Sequence, residues 1–490
     1  MESFGPHFFV LTLALVGVVI MVAALLSGLI DRSDVPQVGV FLALGAIVGP
    51  AGLQLLDVSL ESPILRIVAT LSLVLVLFTD ALSLSIAEVR RHHVLAFLVL
   101  GPGTLLSVVL IALAAWWLLD LSLPSAAMIG AALASTDPVM LRGLLKRPGL
   151  PGPVRLALRL ESGLNDIVLL PIILGTMALL SHDEFFGVDS ARLGLELFLL
   201  GPGAGVAVGL LALGALELVR RKTGVRRDYE SLYSLGVAFA AYAAAEAVHG
   251  SGFLAAFCAG LTIAALDVEL CDCFLEYGQT TAEMTLLFTF ILFGSSLIWQ
   301  GLLVLDLTTL LFAIAVVLIR PIAFFLSLTG AKLDRHSRVL IAWFGPRGLS
   351  SLLLILIPVF AGVPESRSLF FICCLVVLLS VVVHGSSLML LKRQAPSSGD
   401  LTAVSRASAD AEEVPAAAVD NDGELISMEE LRKLQSTGAA VLVVDVRAET
   451  SFNSSPFQAQ GALRIPPDQA VRRITELNIP RHSWIVAFCA

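Results

Sequence analysis

Charge is what this sequence has least of: 14% of its 490 residues are Asp, Glu, Lys or Arg, against about 25% in an ordinary soluble domain. A mean hydropathy of +0.90 and a hydrophobic share of 57% exclude a disordered or collagen-like chain. There is no basic excess either. With 31 Lys+Arg set against 40 Asp+Glu, no positive surplus exists to grip a phosphate backbone, and nucleic acid is excluded as a partner. Cysteine is scarce: Cys258, Cys271, Cys273, Cys373, Cys374 and Cys489 are too few and too unevenly spaced for a disulfide framework. Cys271-Asp272-Cys273 offers two thiols without nearby histidines, short of the four ligands of a structural zinc site. No positively charged region or small-residue cleavage site precedes the first apolar run, so no removable signal peptide is expected.

What the chain has instead is long apolar runs. Stretches of about 18 to 25 residues, enough to cross hydrocarbon, recur from Phe8 to Leu391. About thirteen can be placed, at residues 8–30, 36–56, 64–86, 94–118, 124–145, 154–181, 192–219, 229–247, 252–267, 279–298, 303–328, 337–360 and 366–391. In lipid only helices and closed barrels satisfy every backbone group. Continuous Leu/Val/Ala/Ile runs lack the alternation of barrel strands, so the expected fold is an all-α polytopic membrane protein surrounded by lipid.

Short loops orient it. Arg90-Arg91, Lys146-Arg147 with Arg155, the cluster Arg220-Arg221-Lys222 with Arg226-Arg227, and Lys332 with Arg335 and Arg338 all follow odd-numbered spans. Loops after even-numbered spans, such as Asp57 to Glu61 and Ala361 to Pro364, hold almost no Lys or Arg. Basic loops face the cytoplasm, so the amino terminus is expected outside and the carboxyl terminus inside, in a cell (inner) membrane. Residues 1–393 form the membrane domain. An Ala/Ser/Asp/Pro tract over 394–423 reads as a flexible linker. A small α/β module follows over 424–490: a capping box at Ser427-Met428-Glu429-Glu430, a strand at Val441-Leu442-Val443-Val444 ending in Asp445, and a second at Trp484-Ile485-Val486-Ala487-Phe488 ending in Cys489.

Ionisable residues inside spans are costly, and each is a functional candidate by default. Those here are Asp80, Asp137, Glu161, Asp166, Arg320 and Arg347. In the fifth span Ala134-Ser135-Thr136-Asp137-Pro138 puts a proline and a carboxylate at mid-membrane, so the helix should break there and leave dipole ends beside a cavity. Phe344-Gly345-Pro346-Arg347-Gly348 in the twelfth span is a second break, with one positive charge. Spans one to six and eight to thirteen then become two inverted halves, each broken in its fifth span, the pattern of a secondary transporter's midplane site. The sixth span supplies Glu161-Ser162-Gly163-Leu164-Asn165-Asp166. Ser162 and Asp166, four apart, stack on one face with Glu161 and Asn165 on the adjacent stripe, an oxygen-rich site for a small monovalent cation or a proton. Glu161 is expected to pair with Arg347, since a lone arginine at mid-membrane is too costly. Arg320, before Pro321, reads as another internal pair or a kink charge. Glu246 and His384 fall near expected helix ends and read as solvated or hydrogen-bonded groups.

Thr136-Asp137-Pro138, the Glu161 to Asp166 run and Gly345-Pro346-Arg347-Gly348 together resemble the cation:proton antiporters, in the branch of the sodium/proton exchangers, over about residues 8–391. The resemblance implies a thirteen-span inverted repeat with two crossing broken helices, a dimerisation domain, a mobile core domain and a homodimer. It implies no cofactor, with Na+, or Li+ or K+, exchanged for H+. Asp166 becomes the shared cation/proton carboxylate, Thr136 and Ser162 contribute oxygens to Na+, Asp137 balances the crossed helix ends, and Glu161 pairs with Arg347. Asp80 is similar in position to an acidic residue some members use near the cation, although the family's usual Glu-Gly is here Asp80-Ala81. The family's Asp-Asp branch is associated with moving an extra proton, so Asn165-Asp166 implies electroneutral exchange.

The tail resembles a rhodanese domain in Val443-Val444-Asp445-Val446-Arg447, Gly461-Ala462-Leu463-Arg464-Ile465-Pro466 and Phe488-Cys489, which makes Cys489 its persulfide-carrying cysteine. The amide loop that lowers such a cysteine's pKa is missing, so the module is incomplete and a regulatory role is expected of it. The rival readings are a membrane-anchored sulfurtransferase or redox sensor, a K+/H+ exchanger regulated by the tail, and a sulfur-oxyanion transporter. Carboxylates at the midplane repel the last of these.

Overall fold

The computed structural model describes residues 37–84, 86–145, 150–181, 199–222, 227–266, 272–331 and 333–393, together with 441–446, 462–465, 484–488 and single positions at 17, 21, 25, 195 and 431. The expected span at 8–30, the linker and Cys489 therefore lie outside the described residues. The chain divides into two compact units, Met1–Ser397 and Ser398–Ala490.

The first unit is entirely helical where it is described. Its elements are α1 (Gln37–Val48), α2 (Pro63–Leu82), α3 (Ile86–Arg91), α4 (His93–Leu98), a π-turn at Val99–Gly103, α5 (Thr104–Leu119), α6 (Leu123–Ala134), α7 (Pro138–Leu145), α8 (Gly152–Leu164), α9 (Asp166–Ser181), α10 (Gly201–Lys222), α11 (Arg227–Ala247), α12 (Gly252–Ala265), α13 (Asp272–Leu292), α14 (Leu307–Ser327), α15 (Arg335–Trp343), α16 (Leu349–Phe360) and α17 (Ser366–Arg393). Among the described residues, seven helices are long and apolar enough to cross a membrane, and Gln37–Val48, Leu232–Ala247, Gly252–Ala265 and Leu349–Phe360 are shorter apolar helices. Pro102 lies in the π-turn, where its missing N–H is absorbed by widened hydrogen bonding rather than by ending the span. Asp306 opens α14 with a capping box, its carboxylate accepting from Thr308 N and Thr309 N while Thr309 Oγ1 accepts from Asp306 N.

Packing sorts these helices into two bundles. α12 lies against α10, α2 and α11, and α13 against α2, α11 and α1, making one bundle of α1, α2 and α10–α13. Its helices are joined by a buried Ser72 Oγ to Thr289 Oγ1 hydrogen bond of 2.8 Å. The other bundle packs α5 on α6 and α14, α6 on α9, α8 on α7 and α15, and α17 on α14 and α16. α2 touches α8 and α16, and α1 touches α7, where the bundles meet. The second bundle holds both interrupted helices: α6 and α7 are separated by extended residues 135–137, and α15 and α16 by extended residues 344–348.

In the second unit the described residues include a three-stranded parallel sheet of order β2-β1-β3, with β1 (Val441–Asp445), β2 (Leu463–Arg464) and β3 (Trp484–Phe488). Val441 to Asp445 pair in register with Trp484 to Phe488. Parallel strands need crossover connections, which agrees with the long sequence separation between them.

Candidate functional site

The two breaks meet. Pro138 opens α7, and its ring drives the preceding residue out of the helical region. Asp137 N, released from any helix ladder, donates to Pro346 O at 2.9 Å across the crossing. Four half-helix ends converge here, each with unsatisfied backbone groups and a partial charge. Asp137 serves both positive ends: its Oδ1 accepts from Val139 N of α7 at 2.9 Å and its Oδ2 from Leu349 N of α16 at 3.1 Å. Two arginines serve the negative ends. Arg347 Nη1 donates to Ala134 O at 2.8 Å and Ser135 O at 2.9 Å, closing α6. Arg320, from α14, donates through Nη1 to Ile341 O at 2.9 Å and Ala342 O at 2.5 Å, and through Nη2 to Phe344 O at 3.2 Å, closing α15.

The crossing is tight enough to require glycine at two positions. A Cβ on Gly348 would sit 1.8 Å from Asp137 Oδ2, and one on Gly345 would sit 1.7 Å from Arg320 Nε. Any side chain at either place would displace a charged group from the helix end it neutralises.

Glu161 on α8 corrects an expectation. Its carboxylate is held by Arg320, with Nε to Oε1 at 3.1 Å and Nη2 to Oε2 at 2.5 Å, and not by Arg347. The Thr136 hydroxyl donates to Glu161 Oε1 at 2.8 Å and accepts from Arg347 Nη1 at 3.2 Å, so Arg347 reaches Glu161 only through Thr136. The reason is geometric. Nη1 of Arg347 is taken up by the α6 carbonyls on its own side of the crossing, whereas Arg320 approaches from α14 with its Nε–Nη2 edge turned to Glu161 for bidentate pairing. Thr136 is thereby bound into the charge network. His384 also departs from expectation: it is buried within α17, away from the helix ends, with Nδ1 3.1 Å from Ser380 Oγ, which accepts from Arg347 N at 2.7 Å. Glu246, at the end of α11, accepts from Gly252 N at 3.0 Å.

Beside this saturated network lies an unsaturated one. Asn165 and Asp166 are buried where α8 passes into α9. Asn165 Oδ1 and Nδ2, Asp166 Oδ1 and Ser135 Oγ are buried polar atoms without a hydrogen-bond partner, and so is Arg347 Nη2. Ser135 faces the Asp166 carboxylate, and the Ser162 hydroxyl gives only a long 3.4 Å hydrogen bond to Arg159 O. Buried polar groups are nearly always paired, so a cluster of such atoms is chemically a vacancy for a small hydrogen-bonding or coordinating species. Asn165 Oδ1, Asp166, Ser135 and Ser162 are oxygen donors of the kind a bare monovalent cation needs, and a carboxylate such as Asp166 can bind a proton instead. Asp80, half-buried near the end of α2 in the first bundle, lies within electrostatic range of Asp166, Asp137 and Arg142. Among the described residues no cluster of three or more His, Cys, Asp or Glu is arranged to hold a metal ion.

Sequence reasoning singled out Asp80, Thr136, Asp137, Glu161, Ser162, Asn165, Asp166 and Arg347; hydrogen bonds gather Thr136, Asp137, Glu161 and Arg347 at the crossing, with Asn165 and Asp166 buried at the α8–α9 junction. It did not single out Ser135, and it left open the partner of Arg320. The signal for the latter was present, because two mid-membrane arginines, Arg320 and Arg347, flank a single buried glutamate, and both need an acceptor.

Comparison with known proteins agrees with this architecture. The chain is 29% identical over 383 residues to a K(+)/H(+) antiporter NhaP2 of Shewanella oneidensis, covering 76% of this chain and 65% of that relative. It is 27% identical over 366 residues to the K(+)/H(+) antiporter NhaP of Alkalimonas amylolytica, covering 62% of its length, so the chain spans under two thirds of these curated relatives. The fold matches that of the sodium proton antiporter MjNhaP1 from Methanocaldococcus jannaschii at pH 8, with a TM-score of 0.64 at 20% identity, over 79% of this chain and 100% of that one. The model of the transmembrane sodium/hydrogen exchangers matches residues 17–393, the whole region that holds both helix breaks and every candidate residue, and the chain belongs to that family.

Proposed function

We propose that the chain is a secondary antiporter exchanging a monovalent cation, Na+ or K+, for H+ at Asp166 by alternating access. The observation that carries this is the unsatisfied set of Asp166 Oδ1, the Asn165 amide and Ser135 Oγ beside helix ends whose own charges are already neutralised. A carboxylate left alone among saturated charges is free to hold either a cation or a proton, and never needs both. Asn165 Oδ1, Ser135 and Ser162 supply neutral oxygens to the cation. Thr136 stands behind them with its hydroxyl committed to Glu161, and Asp80 presents a second carboxylate from the facing bundle. Glu161 and Arg320 form the buried structural pair. One titratable group per turnover makes the exchange one-for-one and electroneutral.

K+ is favoured by the two relatives named K(+)/H(+) antiporters; Na+ is favoured by a relative named Na(+)/H(+) antiporter from Halobacillus dabanensis, 31% identical over 280 residues and matching 53% of this chain. In this reading the membrane region is a thirteen-span inverted repeat, homodimeric through the α1, α2, α10–α13 bundle, with the amino terminus outside. The tail is a cytoplasmic rhodanese-like module, for which β1 and β3 at the two expected strand positions, joined by β2 in the resembling Gly461 to Pro466 run, are the support; a sulfur-transfer assay tests it. Proteoliposomes loaded with a pH-sensitive dye and given Na+, Li+ or K+ test the main reading. Cation-driven proton movement is expected from the native protein and none from Asp166→Asn, which keeps the volume and removes the charge. Substantial exchange by a correctly inserted Asp166→Asn protein overturns it.

A further inference from the structure

Two helices of the first bundle leave a groove between them. α10 and α11 pack together, and along their contact lies a cavity of about 340 Å³. Val208, Leu211 and Ala215 line it from α10, and Tyr233, Gly236 and Ala240 line it from α11. The small residues on both helices make the hollow. Its one polar side chain is already engaged, because the Tyr233 hydroxyl donates to Ala212 O at 2.9 Å. Leu211, 73% exposed, marks the side on which the groove opens. An aliphatic chain fits this lining, whereas a polar ligand would lose its hydrogen bonds to water and find no replacement.

The groove leads to a positive charge. α10 ends at Lys222, and its stretch Gly201–Arg220 is long and apolar enough to cross a membrane, so Lys222 stands at the level of the lipid headgroups. Lys222 follows Ala215 by seven residues, two helical turns or about 10 Å, and therefore continues the stripe that Val208, Leu211 and Ala215 begin. Between them Leu218 and Val219 are apolar and 55% and 44% exposed, and Lys222 itself is exposed. Glu217, two residues from Ala215, falls on the opposite side of the helix. Around the turn, five Lys and Arg between Arg220 and Arg227 outnumber Glu217, Asp228 and Glu230, a local excess that attracts anionic lipid.

We propose that the α10–α11 groove is a binding site for one anionic phospholipid, with an acyl chain lying along the groove and the headgroup phosphate on Lys222. A continuous apolar track that ends in an exposed cation matches both parts of such a lipid and the distance between them. A second copy of this chain is a poorer occupant. A two-fold contact sets the same surface against itself, which brings a second basic turn towards the first. The site lies in the other bundle from Asp166 and does not depend on the exchange reading.

The test uses the full chain purified in detergent and titrated with dioleoylphosphatidylglycerol or dioleoylphosphatidylcholine, with bound lipid counted by native mass spectrometry. The anionic lipid is expected to bind about fivefold more tightly, the worth of one Lys at a membrane surface. Lys222→Gln should erase that preference and Lys222→Arg should keep it. Gly236→Leu puts a side chain into the groove, since a Cβ at Gly236 meets no neighbouring atom within 4 Å. It should weaken both lipids about tenfold, roughly what two buried methylenes contribute. Ala240→Leu fills the groove from the next turn and serves where Gly236→Leu does not fold. Equal binding of the two lipids, a preference that survives Lys222→Gln, or unchanged binding in both groove-filling variants overturns the site. So does a dimer that dissociates in those variants while lipid binding stays at the native level, since the groove is then an interface between copies.

Discussion

The pairing of Glu161 with Arg320 can be weighed against the alternative by a double-mutant cycle. Arg320 makes two hydrogen bonds to Glu161 and three to the carbonyls of Ile341, Ala342 and Phe344. Arg320→Met therefore strands a buried carboxylate and uncaps α15 at once, and is expected to cost about 5 kcal/mol, the upper part of the range for breaking a buried pair. Glu161→Gln leaves Arg320 with its three carbonyl acceptors and a neutral amide, and is expected to cost about 3 kcal/mol. The double replacement leaves no unpaired charge, so it should fall short of the sum by about 2 kcal/mol or more. The cycle is read from reversible unfolding in mixed micelles of increasing SDS content, with helicity as the signal. The same cycle on Glu161 and Arg347 should give a smaller coupling, because those residues communicate only through the Thr136 hydroxyl. Additive losses for Glu161 and Arg320, or a larger coupling for Glu161 and Arg347, would refute the arrangement.

Three further outcomes follow from the same geometry. Gly348→Ala brings a Cβ to 1.8 Å from Asp137 Oδ2, so the carboxylate has to leave two helix N-termini; a loss of about 2 kcal/mol, at about 1 kcal/mol per cap, and abolished exchange are expected by micelle unfolding and vesicle assay, and a fully active variant contradicts them. If Asp166 alone carries charge in both directions, a solid-supported membrane loaded with the protein gives no transport current once buffering artefacts are removed; a persistent current means more than one proton per cation. Deletion of residues beyond about 400 should leave basal exchange intact, and Cys489→Ser should be silent under reducing conditions; loss of exchange at unchanged insertion would make the tail an obligate part of the cycle.

Legibility from sequence followed the range of the forces involved. The two breaks could be read because each couples a proline to a buried charge, Pro138 beside Asp137 and Pro346 beside Arg347; proline alone does not decide it, since Pro171, Pro321 and Pro358 lie inside continuous helices. The expected stacking of Ser162 with Asp166 is likewise a local reading, although α8 ends at Leu164 and α9 begins at Asp166, so it has to cross a helix junction. The partner of Glu161 is not local. It depends on which of two arginines turns its Nε–Nη2 edge to the carboxylate, and that is decided by how α14 and the second break pass the first. His384, read as a solvated or hydrogen-bonded group near a helix end, is hydrogen-bonded to Ser380 but lies buried within α17, because packing rather than position along the helix decides burial. Ser135 was passed over because serine is unremarkable in an apolar helix until its neighbours are known. The short apolar helix Leu349–Phe360 shows the limit of a length criterion, since a broken span leaves pieces that are each too short to count.

On the proposed reading, the division of labour among the buried charges is what would let this site cycle. Four half-helix ends and a glutamate would leave the middle of the bundle electrostatically unusable if any were unpaired, because uncompensated charge in a dry interior is far more costly than a hydrogen bond is favourable. Asp137, Arg320 and Arg347 remove that problem permanently, each with several backbone partners that do not change when an ion arrives. What remains is one carboxylate, Asp166, with no fixed counter-charge among the hydrogen-bonded groups and with neutral oxygens around it. Had Arg347 been paired with Glu161 directly, the α6 carbonyls would have needed another cation, and the nearest candidate would have been the transported one. An ion spent on holding a helix end cannot be released at each turnover. In the proposed exchange, helix ends that have their own arginines leave the cation only the site carboxylates to stabilise, and a proton can then replace it there.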